Sequence, residues 1–203
     1  MAEKLTPQQR LVLTIAILGS FVAFLDGTIV NVALPAIARE LGGGLSTQQW
    51  TVDAYLVTLG ALILVAGAVS DAFGRILVLR IGLIGFGIAS IAVALSPSPE
   101  LLVAARAVQG AAGAFLVPSA LALITATMRE PLRSRAIGIW TASTTGAMII
   151  GPLIGGLIVD HSSWRWAFGI NVLPIAVALW LLTRLDHRDE RRADARVDVV
   201  GAI

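Results

Sequence analysis

Six apolar stretches, each long enough to cross a hydrocarbon core of about 20 residues at 1.5 Å rise, leave this chain few folds to choose from. They run Leu11–Leu34, Trp50–Val69, Ile76–Leu95, Leu101–Ala126, Ala136–Val159 and Trp166–Leu185. The runs are continuous rather than alternating with period two, so they predict helices and not a barrel. Only 14% of the 203 residues are charged and 57% are apolar, where a soluble domain carries roughly a quarter charged. There are too few charges to cover a soluble globule. The expected fold is an all-α membrane protein of six transmembrane helices. Residues 1–10 are its cytoplasmic amino terminus, 11–185 the bundle, and 186–203 a charged linker with the start of a truncated seventh span.

The first stretch exceeds a signal-peptide core of roughly 7–15 residues and is interrupted by Asp26, so it is expected to stay in the protein. Lys and Arg set the orientation. With the amino terminus inside, the cytoplasmic set is Lys4, Arg10, Arg75, Arg80, Arg129, Arg133, Arg135, Arg184, Arg188, Arg191, Arg192 and Arg196. Only Arg39 and Arg165 face out, and Arg106 lies within a span. This bias places both termini in the cytoplasm. It also explains a pI of 9.9 without nucleic acid: the net charge is +2, and the arginines follow topology rather than one basic face.

Several other chemistries are excluded. The chain has no cysteine, and its two histidines, His161 and His187, lie in polar segments. No cysteine-based redox or metal site is expected, and neither metal nor cofactor is assigned. The spans contain Ser, Thr, Asp and Arg but no His or Cys, which argues against an intramembrane hydrolase. No G-x-x-x-x-G-K-[ST] loop is present and Lys4 is the only lysine, so the chain does not itself use ATP.

A weak internal repeat points to a transporter. Gly67-Ala-Val-Ser-Asp71 closes the second span and Gly156-Leu-Ile-Val-Asp160 the fifth, each followed by an aromatic residue and an Arg. The two copies sit on opposite membrane sides, as in a three-plus-three inverted repeat. The charges inside spans are the informative residues, since each is costly in lipid. Counted from the outer ends of their spans, Asp26 lies about 12–14 Å deep, Arg106 about 8–9 Å and Asp53 about 5 Å. Two carboxylates and a guanidinium at similar depth fit a site alternating between proton and substrate. The alternative is a structural Asp26–Arg106 pair with Asp53 a wet residue near the surface. Span 5 carries Gly146, Gly151, Pro152, Gly155 and Gly156. Small residues four apart admit a close helix neighbour, and the proline is expected to bend the span. Gating and tight packing explain that pattern equally well.

These segments resemble motifs of the major facilitator superfamily, specifically its drug:proton antiporter family with fourteen spans. Leu25-Asp-Gly-Thr-Ile-Val-Asn-Val-Ala-Leu-Pro35 is similar to that family's span 1 signature, and Trp50-Thr-Val-Asp53-Ala-Tyr55 to its span 2 opening. Gly67-Ala-Val-Ser-Asp71-Ala-Phe-Gly74-Arg75 resembles the loop motif between spans 2 and 3, and Gly146 to Gly156 the antiporter motif. Arg106-Ala-Val-Gln109-Gly110 and Trp164-Arg-Trp-Ala-Phe-Gly-Ile-Asn171 match in span 4 and before span 6.

The resemblance implies a proton-coupled antiporter that exports small lipophilic or cationic compounds across the plasma membrane by alternating access. Asp26 would serve proton coupling or substrate recognition, with Arg106 assisting. Asp71 would brace a helix amino terminus at the cytoplasmic face, with Gly67, Gly74 and Arg75 shaping that loop. Gly151 and Pro152 would shape the surface on which two halves rock. The basic residues usual in the loop motif are replaced by Ala72, Ile76 and Leu77, which thins its charge relay. Asn171-Val-Leu-Pro174 has one residue more than the usual Asn-Val-Pro spacing, for which a small local shift is expected.

The family builds transport from two six-span bundles, and this chain supplies one. Its expected partners are the lipid bilayer, a small-molecule substrate, protons, and either a missing carboxy-terminal half or a second copy. The alternative is a truncated, non-transporting membrane protein that associates with a full-length transporter.

Overall fold

A computed structural model describes residues 4–185; the charged segment from 186 onward lies outside the described residues. Among the described residues the chain is helical and contains no strand. In chain order the helices are α1 (Pro7–Leu41), α2 (Gly44–Phe73), α3 (Arg75–Ala94), α4 (Pro99–Gly113), α5 (Leu116–Thr127), α6 (Leu132–His161), α7 (Arg165–Gly169) and α8 (Val172–Leu182). They make six elements long and apolar enough to cross a membrane. Span 4 is α4 with α5, span 6 is α7 with α8, and span 5 is α6.

Helix ends follow local chemistry. Thr6 caps α1 in a capping box with Gln9, and Ser98 caps α4 through the amide of Leu101. Gly74 ends α2 and starts α3 at φ 103°, a conformation open to glycine and strained for other residues. The 35 residues of α1 run about 52 Å, so its ends project beyond a bilayer core.

The interruptions in spans 4 and 6 share one cause. Pro118 has no N–H to give the Ala114 carbonyl, and Pro174 none for Ile170. In each the hydrogen-bond ladder changes at the residue so deprived, between α4 and α5 and between α7 and α8, while the backbone there keeps helical dihedrals. At the Asn171–Pro174 spacing Ile170 and Asn171 keep helical dihedrals, so the change there is local. The expected effect of Pro152 is different: α6 is helical without interruption from Leu132 to His161.

Neighbour relations follow the three-plus-three arrangement. Span 1 packs on spans 5 and 6 as span 4 packs on spans 2 and 3, while spans 1 and 4, and spans 3 and 6, meet across the centre. Two apolar cores result. One gathers Leu79, Leu83, Phe86, Leu116, Ile124 and Ile175; the other gathers Ile29, Ile37, Val93, Leu102, Trp164 and Phe168. On every contributing span, the two cores are separated by a polar residue. α2 and α6 are the least enclosed spans and show Leu56, Leu64, Ile149, Leu153 and Leu157 on open faces.

Candidate functional site

The polar residues between the two cores converge. Asp26 on α1 lies between Ala23 and Ile29, Ser90 on α3 between Phe86 and Val93, and Asn171 between Phe168 and Ile175. With Arg106 and Gln109 of α4, all five are fully buried. Arg106 and Gln109 are three residues apart, so one helix face presents both.

Asp26 is surrounded by donors. Its Oδ2 accepts from Arg106 Nη1 at 2.5 Å, and its Oδ1 accepts from Gln109 Nε2 at 2.9 Å and Asn171 Nδ2 at 2.8 Å. An ionised carboxylate has acceptor capacity for all three. The Gln109 amide bridges: its Oε1 accepts from Arg106 Nη1 at 2.6 Å, while Nε2 also donates to Ser90 Oγ at 2.8 Å. Arg106 further donates from Nε to the Thr51 carbonyl of α2 at 2.9 Å. Its guanidinium carbon stands 4.3 Å from the Tyr55 ring centre and 5.5 Å from that of Phe168. Tyr55 in turn donates to the Ala23 carbonyl of α1 at 3.3 Å. The site thus joins five of the six spans, leaving out α6. Arg106 Nη2 and Asn171 Oδ1 are buried in it without a hydrogen-bond partner.

The expected group of two carboxylates and one guanidinium is not what forms. Asp26 and Arg106 meet, but Asp53 is exposed on α2, while its neighbours Ala54 and Tyr55 turn inward. Similar depth did not mean contact, because Asp53 sits on the other face of its helix. Its place beside the pair is taken by Gln109, Asn171 and Ser90, neutral residues that an inventory of charges passes over. Gln109 and Asn171 stood inside recognised motifs; their spacing from Arg106 and from Trp164 was the available signal.

The loop residues lie at the other end of α2. Asp71 is half exposed and pairs with Arg75 across one turn at 3.3 Å. Gly67 has open space where a side chain would stand.

In span 5 the glycines divide. Gly151 and Gly155 are buried against α1: a Cβ on Gly151 would stand 2.1 Å from Thr28 Oγ1, and one on Gly155 2.8 Å from Ile29 Cγ1. Together with Thr144 and Ala147 they make a single small-residue seam. Gly146 and Gly156 face open space, and Pro152 lies on the exposed side. The rocking surface expected of Gly151 is therefore, in this structure, an internal joint between α1 and α6. A matching joint lies in span 4, where a Cβ on Gly110 would reach 2.2 Å from the Tyr55 carbonyl oxygen and 2.3 Å from Thr58 Oγ1.

Known proteins share both the sequence and the fold. The chain is 40% identical over 193 residues to the puromycin resistance protein pur8 of Streptomyces alboniger, covering 94% of this chain and 38% of that protein. It is 35% identical over 195 residues to the multidrug export protein EmrB of Escherichia coli K12, covering 95% and 38%. The chain thus spans little more than a third of these relatives. A crystal structure of the peptide transporter POT in complex with sulfate superposes with a TM-score of 0.75 at 14% identity, over 86% of this chain and 37% of that one. That likeness concerns the fold alone. Residues 16–201 match the Major Facilitator Superfamily. With six apolar helices in that fold and this match over nearly its whole length, the chain is a multi-pass membrane protein belonging to the Major Facilitator Superfamily.

Proposed function

We propose that this chain is the amino-terminal six-span half of a proton-coupled antiporter that exports small lipophilic or cationic compounds across the plasma membrane. The observation that carries this reading is the sealed Asp26–Arg106 pair, in a chain whose relatives are named as resistance and export proteins. A buried ion pair costs desolvation and is weak evidence of stability by itself. Inside a membrane bundle, such a pair is instead a default functional candidate.

Asp26 is the group that exchanges the proton, and Arg106 stabilises its ionised form. When the carboxyl is protonated, it no longer balances the guanidinium. Arg106 then leans on its other partners, the Thr51 carbonyl, Gln109 and the faces of Tyr55 and Phe168. Thr51 and Tyr55 belong to α2, so the change in charge is passed to that helix. Asp53, exposed on α2, stands where it can meet a cationic substrate rather than the proton. Both termini are cytoplasmic, as the Lys and Arg distribution favours. Asp71 and Arg75 then lie at the cytoplasmic face, where the Asp71 carboxylate, paired through one oxygen with Arg75, keeps its other oxygen for a helix amino terminus of the complementary half.

The open apolar faces of α2 and α6 favour a covering partner, either that half or a second copy. They fit equally a non-transporting protein that associates with a complete transporter.

Transport tests this directly. The 203-residue chain is reconstituted in proteoliposomes, alone and with a complementary carboxy-terminal half, and a fluorescent lipophilic cation is followed under an imposed pH gradient. Uptake that collapses with a protonophore and is lost in Asp26→Asn supports the proposal. Uptake against the gradient at parental rate in Asp26→Asn removes Asp26 from the coupling step. A folded chain that stays silent with and without a complementary half favours the non-transporting reading.

A further inference from the structure

We infer that Glu40, Trp164 and Arg165 form a clasp at the end of the bundle that positions the buried Asp26–Arg106 site. Glu40 closes α1, and its two carboxylate oxygens take different partners. One accepts from Trp164 Nε1 at 2.7 Å and the other from the Arg165 guanidinium. Arg165 also donates from Nη2 to the Ser96 carbonyl just beyond α3, at 3.1 Å, and lies 4.4 Å over the Trp164 ring. The clasp therefore ties three helix ends: α1, which carries Asp26; α3, which carries Ser90; and α7, which leads into Asn171.

The connection inward follows one helix face. Trp164, Phe168 and Asn171 are spaced i, i+4 and i+7, and Ile170 and Asn171 keep helical dihedrals between α7 and α8. Trp164 is only 2% exposed and meets Phe168 edge to face at 6.1 Å. Phe168 presents its ring to the Arg106 guanidinium, and Asn171 donates to both Asp26 and Ser90. Glu40 thus bears on two members of the site although it stands about 21 Å along α1 from Asp26.

The five-residue α7 needs such a hold. Pro174 cannot donate to Ile170, so the ladder between α7 and α8 lacks that bond although the backbone stays helical. Burial of Trp164 and Phe168 seats α7 in the core, and Glu40 adds a polar tie at its outer end. Glu40 and Arg165 are partly exposed, and an ion pair of that kind adds little to stability. Its effect lies in the orientation of Phe168 and Asn171. These three are positioning residues, since none touches Asp26 or Arg106.

The absence of cysteine makes the test clean. Ser90→Cys gives the full chain a single thiol facing Gln109 and Asn171, and its labelling rate with N-ethylmaleimide is measured in phosphatidylcholine nanodiscs. Adding Glu40→Ala is expected to raise that rate at least about fivefold, the lower end of coupling between linked sites. Glu40→Gln, which keeps an oxygen for Trp164 Nε1, is expected to restore most of the protection, and Arg39→Ala to change nothing. An unchanged rate in folded Glu40→Ala overturns the inference. The converse is measured in a chain where Trp164 is the sole tryptophan. Asp26→Asn is expected to shift Trp164 emission, and no shift counts against the clasp. If Glu40→Ala does not fold, the tryptophan measurement decides. Neither readout requires transport, so failure of the antiport proposal leaves both intact.

Discussion

Replacing Arg106 by leucine leaves the Asp26 carboxylate buried with only two amide donors. Breaking a buried pair from one side costs about 3–5 kcal/mol, because a charge stays behind without its counter-charge. Arg106→Leu is therefore expected to lower the thermal midpoint of the detergent-solubilised chain far more than the double variant Asp26→Leu/Arg106→Leu. Tryptophan fluorescence melts of both singles and the double close the cycle; additive losses would contradict the pairing. At this scale the sequence was informative about charge and gave only a weak signal, through motif spacing, for the neutral partners Gln109 and Asn171. A carboxylate and a guanidinium inside apolar runs stand out because lipid penalises them. Gln109, Ser90 and Asn171 carry no such penalty in an inventory, and their positions at one level of the packed bundle reveal them. Asp53 misled for the converse reason: depth is readable along a helix, but the face a single residue turns to is set by its neighbours.

At the scale of the helix, the glycines separate by what lies opposite them. Gly110 faces the Tyr55 backbone, which cannot turn aside as a side-chain tip can. Gly110→Ala is expected to destabilise by about 1–3 kcal/mol through overpacking. Gly156→Ala meets open space and is expected to gain up to about 1 kcal/mol from helix propensity. The order of the two midpoints in a melt checks the assignment, and a Gly110→Ala chain as stable as its parent would refute it. The number of the spans was legible because continuous apolar runs have no other use, but α1 continues past the predicted Leu34 to Leu41 and α2 starts at Gly44 rather than Trp50. Proline effects were less so. Pro152 and Pro118 look alike in sequence, yet α6 continues through one while the ladder of span 4 changes before the other. Pro152 lies on the exposed face of α6 and Pro118 on a partly buried one, and which face a residue takes is a tertiary property.

For the whole molecule, the open faces of α2 and α6 set an expectation for assembly. In the proposed transporter, Leu64→Gln and Leu153→Gln leave the six-span fold intact, since both side chains are well over half exposed. They are expected to weaken association with a complementary half or a second copy, measured by energy transfer between labelled chains in liposomes. Unchanged association would reassign those faces to lipid.

The layering of the bundle also governs what it withholds. Asp26 and Arg106 lie between two oily plugs, one built around Leu83 and Phe86 and the other around Trp164 and Phe168. Neither side chain is exposed to solvent. In the proposed antiporter, copies at rest would therefore not short-circuit the membrane. On that proposal each passage of charge waits for one plug to part while its counterpart stays shut, so insulation counts for as much as the ion pair itself.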